Sequence, residues 1–273
     1  MSRSAHLPGR ESPPLLLVNP RSGNGGSDAL LEAAAARGIA THALAPDEDA
    51  GEVARTSDAG VLGMAGGDGS LAAVAAVAIE RGLPLVCVPY GTRNHFARDL
   101  GLDRRDPAAA LAAFDGGVER RIDVGRVNDR VFLNNVSLGV YAGLVHRREH
   151  HRRRRNALAR VRALAAVASH RETTITLDGV PVRAHVVLVA NNRYELSVLS
   201  LGERARLDEG LLHVYAATGV LRSGWAERSC ESLRIDAGSH RLSAAVDGEP
   251  EVLATPLEFR IEPRALRILL PAR

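Results

Sequence analysis

Residues 61–81 read VLGMAGGDGSLAAVAAVAIER, from Val61 to Arg81. The apolar run over residues 61–65 predicts a buried strand, and Gly66-Gly67-Asp68-Gly69 breaks it. From Ser70 to Arg81 the segment is apolar on nearly every side, which predicts a core helix, with Gly82 as its stop. A buried strand that passes through a glycine turn straight into a helix is a unit of α/β architecture. The glycines let backbone approach a ligand closely, and the start of the helix offers unpaired amides to a phosphate. Asp68, at the carboxyl end of the strand, is a candidate to hold a metal ion that bridges phosphates. Alone, the same residues fit an ordinary tight turn equally well.

The pattern repeats on both sides. Residues 15–18 predict a first strand, ending in the turn-rich stretch Asn19-Pro20-Arg21-Ser22-Gly23-Asn24-Gly25-Gly26. Ser27 is placed to cap a helix over 28–37, and Gly38 ends it. A strand over 39–44, a weak helix over 48–57, a strand over 85–88, and helices over 93–100 and 107–114 follow. This alternation predicts a parallel sheet with helices on both faces, an α/β nucleotide-binding domain over 1–121, with residues 1–13 disordered. Strand ends of such a sheet converge on one crevice, so Asn19, the Gly66–Ser70 loop, and Gly91, Thr92 and Asn94 share a rim suited to a phosphorylated ligand. After Arg121 the segments are strand-like: 122–127, 131–138, 173–177, 182–190, 211–216, 240–246, 257–261 and 266–270. Asn128-Asp129, Asp178-Gly179 and Asp247-Gly248 are turn signals between them. These predict a mostly antiparallel β-sandwich domain over 122–273, with one helix over 152–169.

Composition narrows the chemistry. All 35 basic residues of the 273 are arginine; lysine and glutamine are absent. A phosphate loop ending in Gly-Lys-Ser/Thr is therefore excluded, as are Schiff-base chemistry and a lysine base. Phosphate must be handled by amides, arginines, hydroxyls or a metal. Cys87 and Cys230 lie far apart, which points to a reducing compartment. No apolar stretch is long enough to span a bilayer, and the N-terminal apolar run is too short for a secretory leader, so a cytoplasmic protein is expected. The block from Arg147 to Arg155, RREHHRRRR, fits peripheral contact with an anionic membrane surface or, equally, a solvated loop. The helix over 152–169 carries Leu158, Val161, Leu164, Ala165 and Ala168 on one face, with arginines mostly elsewhere. Nucleic acid is not expected as a partner: aromatics make up 3% of the chain, too few for a base-stacking surface. A homodimer is left open.

The ordered motifs N-P-x-S-G (19–23), G-G-D-G-S (66–70) and P-x-G-T-x-N-x-F-A-R (89–98) resemble the diacylglycerol kinase catalytic domain family, which is more distantly similar to NAD kinases. Phe132-Leu133-Asn134-Asn135-Val136-Ser137-Leu138-Gly139, Leu207-Asp208-Glu209-Gly210-Leu211-Leu212 and Asp247-Gly248-Glu249 resemble further motifs of that family. The resemblance implies a nucleotide-binding α/β domain and a β-sandwich domain, with ATP and Mg²⁺ between them and a lipid hydroxyl as acceptor. It implies that Asn19, Gly66, Gly67, Asp68, Gly69, Ser70 and Thr92 contact ATP phosphates and that Asp68 helps bind the catalytic Mg²⁺. It also implies that Glu249 is the general base with Asp247 beside it. A structural Mg²⁺ in bacterial members corresponds to Glu209 with the carbonyls of Arg206 and Leu211. This chain departs from the pattern at His95, where the family most often has Asp, and at Glu209, where Asp is usual. It also lacks the glycine-rich segment after Asn191. Phosphorylation of a soluble hydroxyl, as by NAD kinases, is the alternative activity, and a degenerate ATP-binding regulatory member is the alternative role.

Overall fold

The computed structural model describes residues 12–23, 27–139, 173–197, 200–217 and 225–272. They form two compact units, Met1–Ile122 with Ala265–Arg273, and Asp123–Arg264.

The first unit opens with β1 (Pro14–Val18), α1 (Ser27–Ala35), β2 (Ala40–Ala43), α2 (Ala50–Thr56), β3 (Val61–Gly66), α3 (Asp68–Glu80), β4 (Leu85–Pro89) and α4 (His95–Asp99). A 3₁₀ helix over Pro107–Asp115 follows, where the sequence predicts an α-helix. The strands lie in the order β2-β1-β3-β4 and all pair in parallel, with Leu16 opposite Gly63 and Met64 opposite Cys87. Leu16, Val18, Ala65, Val86 and Val88 turn one face of this sheet to Leu30 and Ala34 of α1 and to Ala110, Leu111 and Ala113 of the 3₁₀ helix. On the other face α3 packs against β3 and α2, burying Leu71, Val74, Ala75 and Ala78. Helices on both faces bury both sides of the central strands, which is why β3 and β4 read as unbroken apolar runs. Asp49 caps α2, accepting from Glu52 N–H at 2.9 Å, so that helix starts two residues later than expected.

The second unit is built from the end of β5 (Val118–Val127), then β6 (Arg130–Phe132), β7 (Asn135–Gly139), β8 (Thr173–Leu177), β9 (Val180–Ala184), β10 (Val186–Asn191) and the short pair β11 (Leu196–Ser197) and β12 (Ser200–Leu201). β13 (Leu212–Ala217), β14 (Trp225–Cys230), β15 (Ser232–Asp236), β16 (Arg241–Val246), β17 (Glu249–Ala254) and β18 (Leu257–Leu270) complete the order. One antiparallel sheet runs β14-β13-β10-β7-β16-β17. The first half of β18, with β15, β8 and β9, forms the facing layer. Val136, Leu138, Val187, Val189, Val214 and Val246 from the first layer share a core with Ile175, Leu233, Ile235, Leu257 and Phe259 from the second, which makes the unit a β-sandwich.

Several strand boundaries differ from the expectation; residues 131–138 are split into β6, which pairs with β5, and β7, which pairs with β10 and β16 in the other sheet. Residues 182–190 are not one strand: the chain breaks at His185 into β9 and β10, which join different sheets. Residues 257–261 and 266–270 are instead one strand, β18, whose last residues leave the second unit and pair with β4 of the first, Ile268 opposite Leu85. The Glu262-Pro263-Arg264 interruption reads as a turn. It is a kink, with Arg264 at φ 53° and its N–H held by Asp123 at 2.8 Å, and the strand direction continues through it. β14, β15 and β17 have too many charged, outward-facing residues for an apolar count to reveal them. The helix expected over 152–169 and the block from Arg147 to Arg155 lie outside the described residues. Among the described residues no helix is long and apolar enough to cross a membrane.

Candidate functional site

In the first unit three loops that follow strands meet at α3. Gly67 is the N-cap of α3, with φ −82° and ψ 172°, and no side chain caps the helix. The first bond back to this N-cap is from Leu71 N–H to Gly67 O at 3.0 Å, so the amides of Asp68, Gly69 and Ser70 have no intrahelical partner. The loop after β4 lies against this turn: a Cβ on Gly91 would fall 2.6 Å from Gly67 Cα and 3.1 Å from Gly66 O, so only hydrogen fits there. The loop after β1 arrives from the other side. Asn19 Nδ2 donates to Ser70 Oγ at 3.1 Å, and Asn19 Oδ1 accepts from Arg21 N–H at 3.1 Å. A Cβ on Gly23 would lie 2.5 Å from the Tyr90 ring, so these two loops touch as well.

Asp68 is 9% exposed, and its two oxygens accept from the amides of His95 and Phe96, each at 3.3 Å. The carboxylate missing from position 95 is thus supplied to the start of α4 from the neighbouring loop. Desolvation holds the His95 imidazole below its usual pKa, Asp68 opposing and Arg98 and Arg93 reinforcing. Asn94 is buried at φ 49°; its Oδ1 accepts from Gly91 N–H at 2.8 Å and its Nδ2 donates to Gly91 O at 2.7 Å. Asn94 therefore shapes the loop, while Thr92 stands exposed at its tip. The chemistry of this donor set fits Mg²⁺ brought in with a nucleotide. Such an ion needs one or two carboxylates plus phosphate and water oxygens, and the long bonds to Asp68 leave it lone pairs to give.

In the second unit Asp247 and Gly248 form a type I′ turn between β16 and β17, with φ of 48° and 86°. The Asp247 carboxylate, 8% exposed, accepts from the amides of Leu133 at 2.8 Å, Asn134 at 2.7 Å and Asn135 at 3.1 Å. It is an anchor for the turn. Glu249, opposite Val246 across the hairpin, is exposed. Two residues further on, Glu251 pairs with Arg130 at 2.7 Å; burial pushes its pKa up, Arg130 opposing and Glu249 adding. Asp178-Gly179 is also a turn with both φ positive, and Asp178 is tied to Arg228 and to the amide of Arg234, which fits a purely structural role.

The Glu209 carboxylate is engaged by neighbouring protein groups. Its Oε2 accepts from Arg193 N–H at 3.0 Å and lies 3.3 Å from His213 Nε2. The Leu211 carbonyl accepts from Asn192 N–H at 3.1 Å. An amide and an imidazole nitrogen stand at Glu209 Oε2, where a hard cation would need fellow oxygen ligands. Among the described residues no group of three His, Cys, Asp or Glu side chains is placed to hold a metal. The melting temperature of nucleotide-free protein is accordingly expected to move by less than about 1 °C between EDTA and millimolar Mg²⁺, since a ligand that binds the native state would raise it. A scan in each condition checks this, and a clear Mg²⁺-dependent rise would restore the site.

Two residues of this region escaped the sequence reading. Asp123, 1% exposed, accepts from Gly210 N–H at 2.6 Å and Arg264 N–H at 2.8 Å. A lone carboxylate between Ile122 and Val124 was the available signal. Arg204, 3% exposed, is one of 35 arginines, and nothing in its neighbours marks it.

The diacylglycerol kinase catalytic domain model matches residues 13–127. A "probable lipid kinase YegS-like" of Pseudomonas aeruginosa is 31% identical over 247 residues, covering 76% of this chain and 75% of that one. Its namesake in Klebsiella pneumoniae is 31% identical over 232 residues, covering 76% of each. A diacylglycerol kinase of Bacillus subtilis is 35% identical over 99 residues, 34% of this chain and 33% of that one. A crystal structure of a diacylglycerol kinase from Bacillus anthracis superposes with a TM-score of 0.68 at 20% identity, covering 95% of this chain and 97% of that one, which shows the shared fold.

Proposed function

The chain belongs to the diacylglycerol kinase catalytic domain family, and on that premise we propose that it moves the γ-phosphate of ATP onto the hydroxyl of a membrane lipid of the diacylglycerol kind. It is a kinase, a phosphotransferase with an alcohol acceptor. The observation that carries the finer reading is the contact of three strand-end loops around uncapped amides at α3. Gly91 against Gly67 and Asn19 against Ser70 leave a glycine-walled surface of N–H donors. Such a surface binds phosphate without lysine.

In this mechanism the amides of Gly67 to Ser70, with Asn19 and Thr92, hold the phosphates. Asp68 would hold Mg²⁺, whose chemistry is to neutralise charge on the phosphate oxygens. Glu249 takes the proton of the acceptor hydroxyl, and Asp247 holds the turn that presents it. Phosphoryl transfer asks mainly for charge neutralisation, alignment and a positioned base, and these residues are of the right kinds. Peripheral contact with the inner membrane face, through the block from Arg147 to Arg155, would bring the enzyme to a substrate that cannot leave the bilayer.

The test is incubation of the purified protein with Mg²⁺ and γ-labelled ATP against fractionated membrane lipids and, separately, NAD. Label is expected in a lipid fraction. Label on NAD alone would establish the soluble-acceptor alternative, and label on neither, with ATP binding measured by calorimetry, would point to the regulatory role.

A further inference from the structure

Arg204 lies between β12 and β13, 3% exposed. Its Nη1 donates to Leu133 O at 2.6 Å and Asn191 O at 2.9 Å, and its Nη2 donates to Asn134 Oδ1 at 2.8 Å. The guanidinium carbon sits 5.3 Å from the centroid of the Tyr194 ring. Asn191 Nδ2 adds a second donor to Leu133 O at 3.0 Å. On the far side of the same backbone stands Asp247, accepting from Leu133, Asn134 and Asn135. The C=O of Leu133 and the N–H of Asn134 are two ends of one peptide group. Arg204 grips the first at 2.6 Å and Asp247 the second at 2.7 Å.

This bridge has a physical consequence. A guanidinium on a carbonyl draws electron density toward oxygen and makes the amide at the other end a stronger donor. Hydrogen bonds with a charged partner are shorter and stronger than neutral ones, and bonds in series reinforce each other. The cation and the carboxylate are therefore coupled through a single peptide plane. The plane leads into β7, the strand that pairs with β16, and β16 ends at the Asp247 turn. Glu249 is the second residue beyond Asp247. We propose that Arg204 is a positioning residue for the Glu249 carboxylate, acting through the Leu133–Asn134 peptide and Asp247. The inference rests on Glu249 being the base. A guanidinium suits the task because its planar fork reaches two backbone carbonyls and a side-chain amide at once, which an ammonium cannot do in one geometry.

The experiment measures kcat and the ATP KM for Arg204→Met and Arg204→Lys, each in the wild-type and in the Glu249→Gln background. Arg204→Met is expected to lower kcat by about 10- to 100-fold, the scale of a misplaced catalytic group, with the ATP KM within about 2-fold. In the Glu249→Gln background the same change is expected to have little further effect, because no base remains to be misplaced. Should Arg204→Met fail to fold, Arg204→Lys carries the test, with a smaller loss and the same dependence on background. Equal losses in both backgrounds, or a loss confined to KM, would overturn the role of Arg204 while leaving the base intact. Wild-type kcat in Glu249→Gln alone would overturn the base and, with it, this inference.

Discussion

Glu249→Gln is expected to lower kcat by about 10²- to 10⁴-fold, the usual contribution of a positioned general base. The replacement keeps the size of the side chain and removes its negative charge and with it the capacity to take a proton. Glu249 is exposed and follows directly on a turn with both φ positive, so core packing does not depend on it. The variant should therefore keep its melting temperature and its ATP affinity. The matched control is Glu251→Gln, the next outward carboxylate on β17. That half-buried group is paired with Arg130 at 2.7 Å, and its replacement is expected to leave kcat within about 2-fold, because its charge is engaged by Arg130 and not by the acceptor. Steady-state kinetics on the two variants checks the contrast. A Glu249→Gln enzyme as fast as wild type, or a Glu251→Gln enzyme as slow as Glu249→Gln, would remove Glu249 from the base position.

Much of this site is legible in the sequence because its first half is local. The apolar runs of β3 and β4 and the glycines after them are contiguous, and parallel topology alone places their ends side by side. The sequence therefore places the three loops on one rim. The second half is not local. Asp247 reads as an ordinary turn residue, and its three amide partners lie 112 to 114 residues away. Arg204 is bound to Leu133 across 71 residues, and Asp123 to Arg264 across 141. No window of sequence contains both ends of such a bond. β17 escaped for a related reason. A strand at the edge of its sheet, with Glu249, Val252 and Ala254 exposed, has little apolar alternation to show. The long reach of β18 was hidden by Pro263, since a proline between two apolar segments is normally a stop.

Asp247→Ala is expected to destabilise the second unit strongly. The carboxylate accepts three amides in succession while 8% exposed, and its loss leaves buried N–H groups without their acceptor. Each such group costs about 1–3 kcal/mol. Even with partial rescue by water, a loss on the order of 4 kcal/mol follows, or roughly 10 °C in melting temperature for a unit of this size. Part of any loss in alanine would come from φ 48°, which a Cβ without a polar group tolerates poorly. Asp247→Gly separates the two causes, since glycine adopts that φ freely and still removes the carboxylate. If the carboxylate is the anchor, Asp247→Gly should recover only the small backbone part. Asp247→Asn should fall between, because one amide oxygen can serve two of the N–H groups while its own NH₂ opposes the third. Thermal melts of the three variants beside wild type decide it. A glycine variant as stable as wild type would show that only the backbone conformation mattered and that the carboxylate adds nothing. The kcat of any folded variant should fall with Glu249 intact, because the turn that presents Glu249 would no longer be held from the Leu133–Asn135 side.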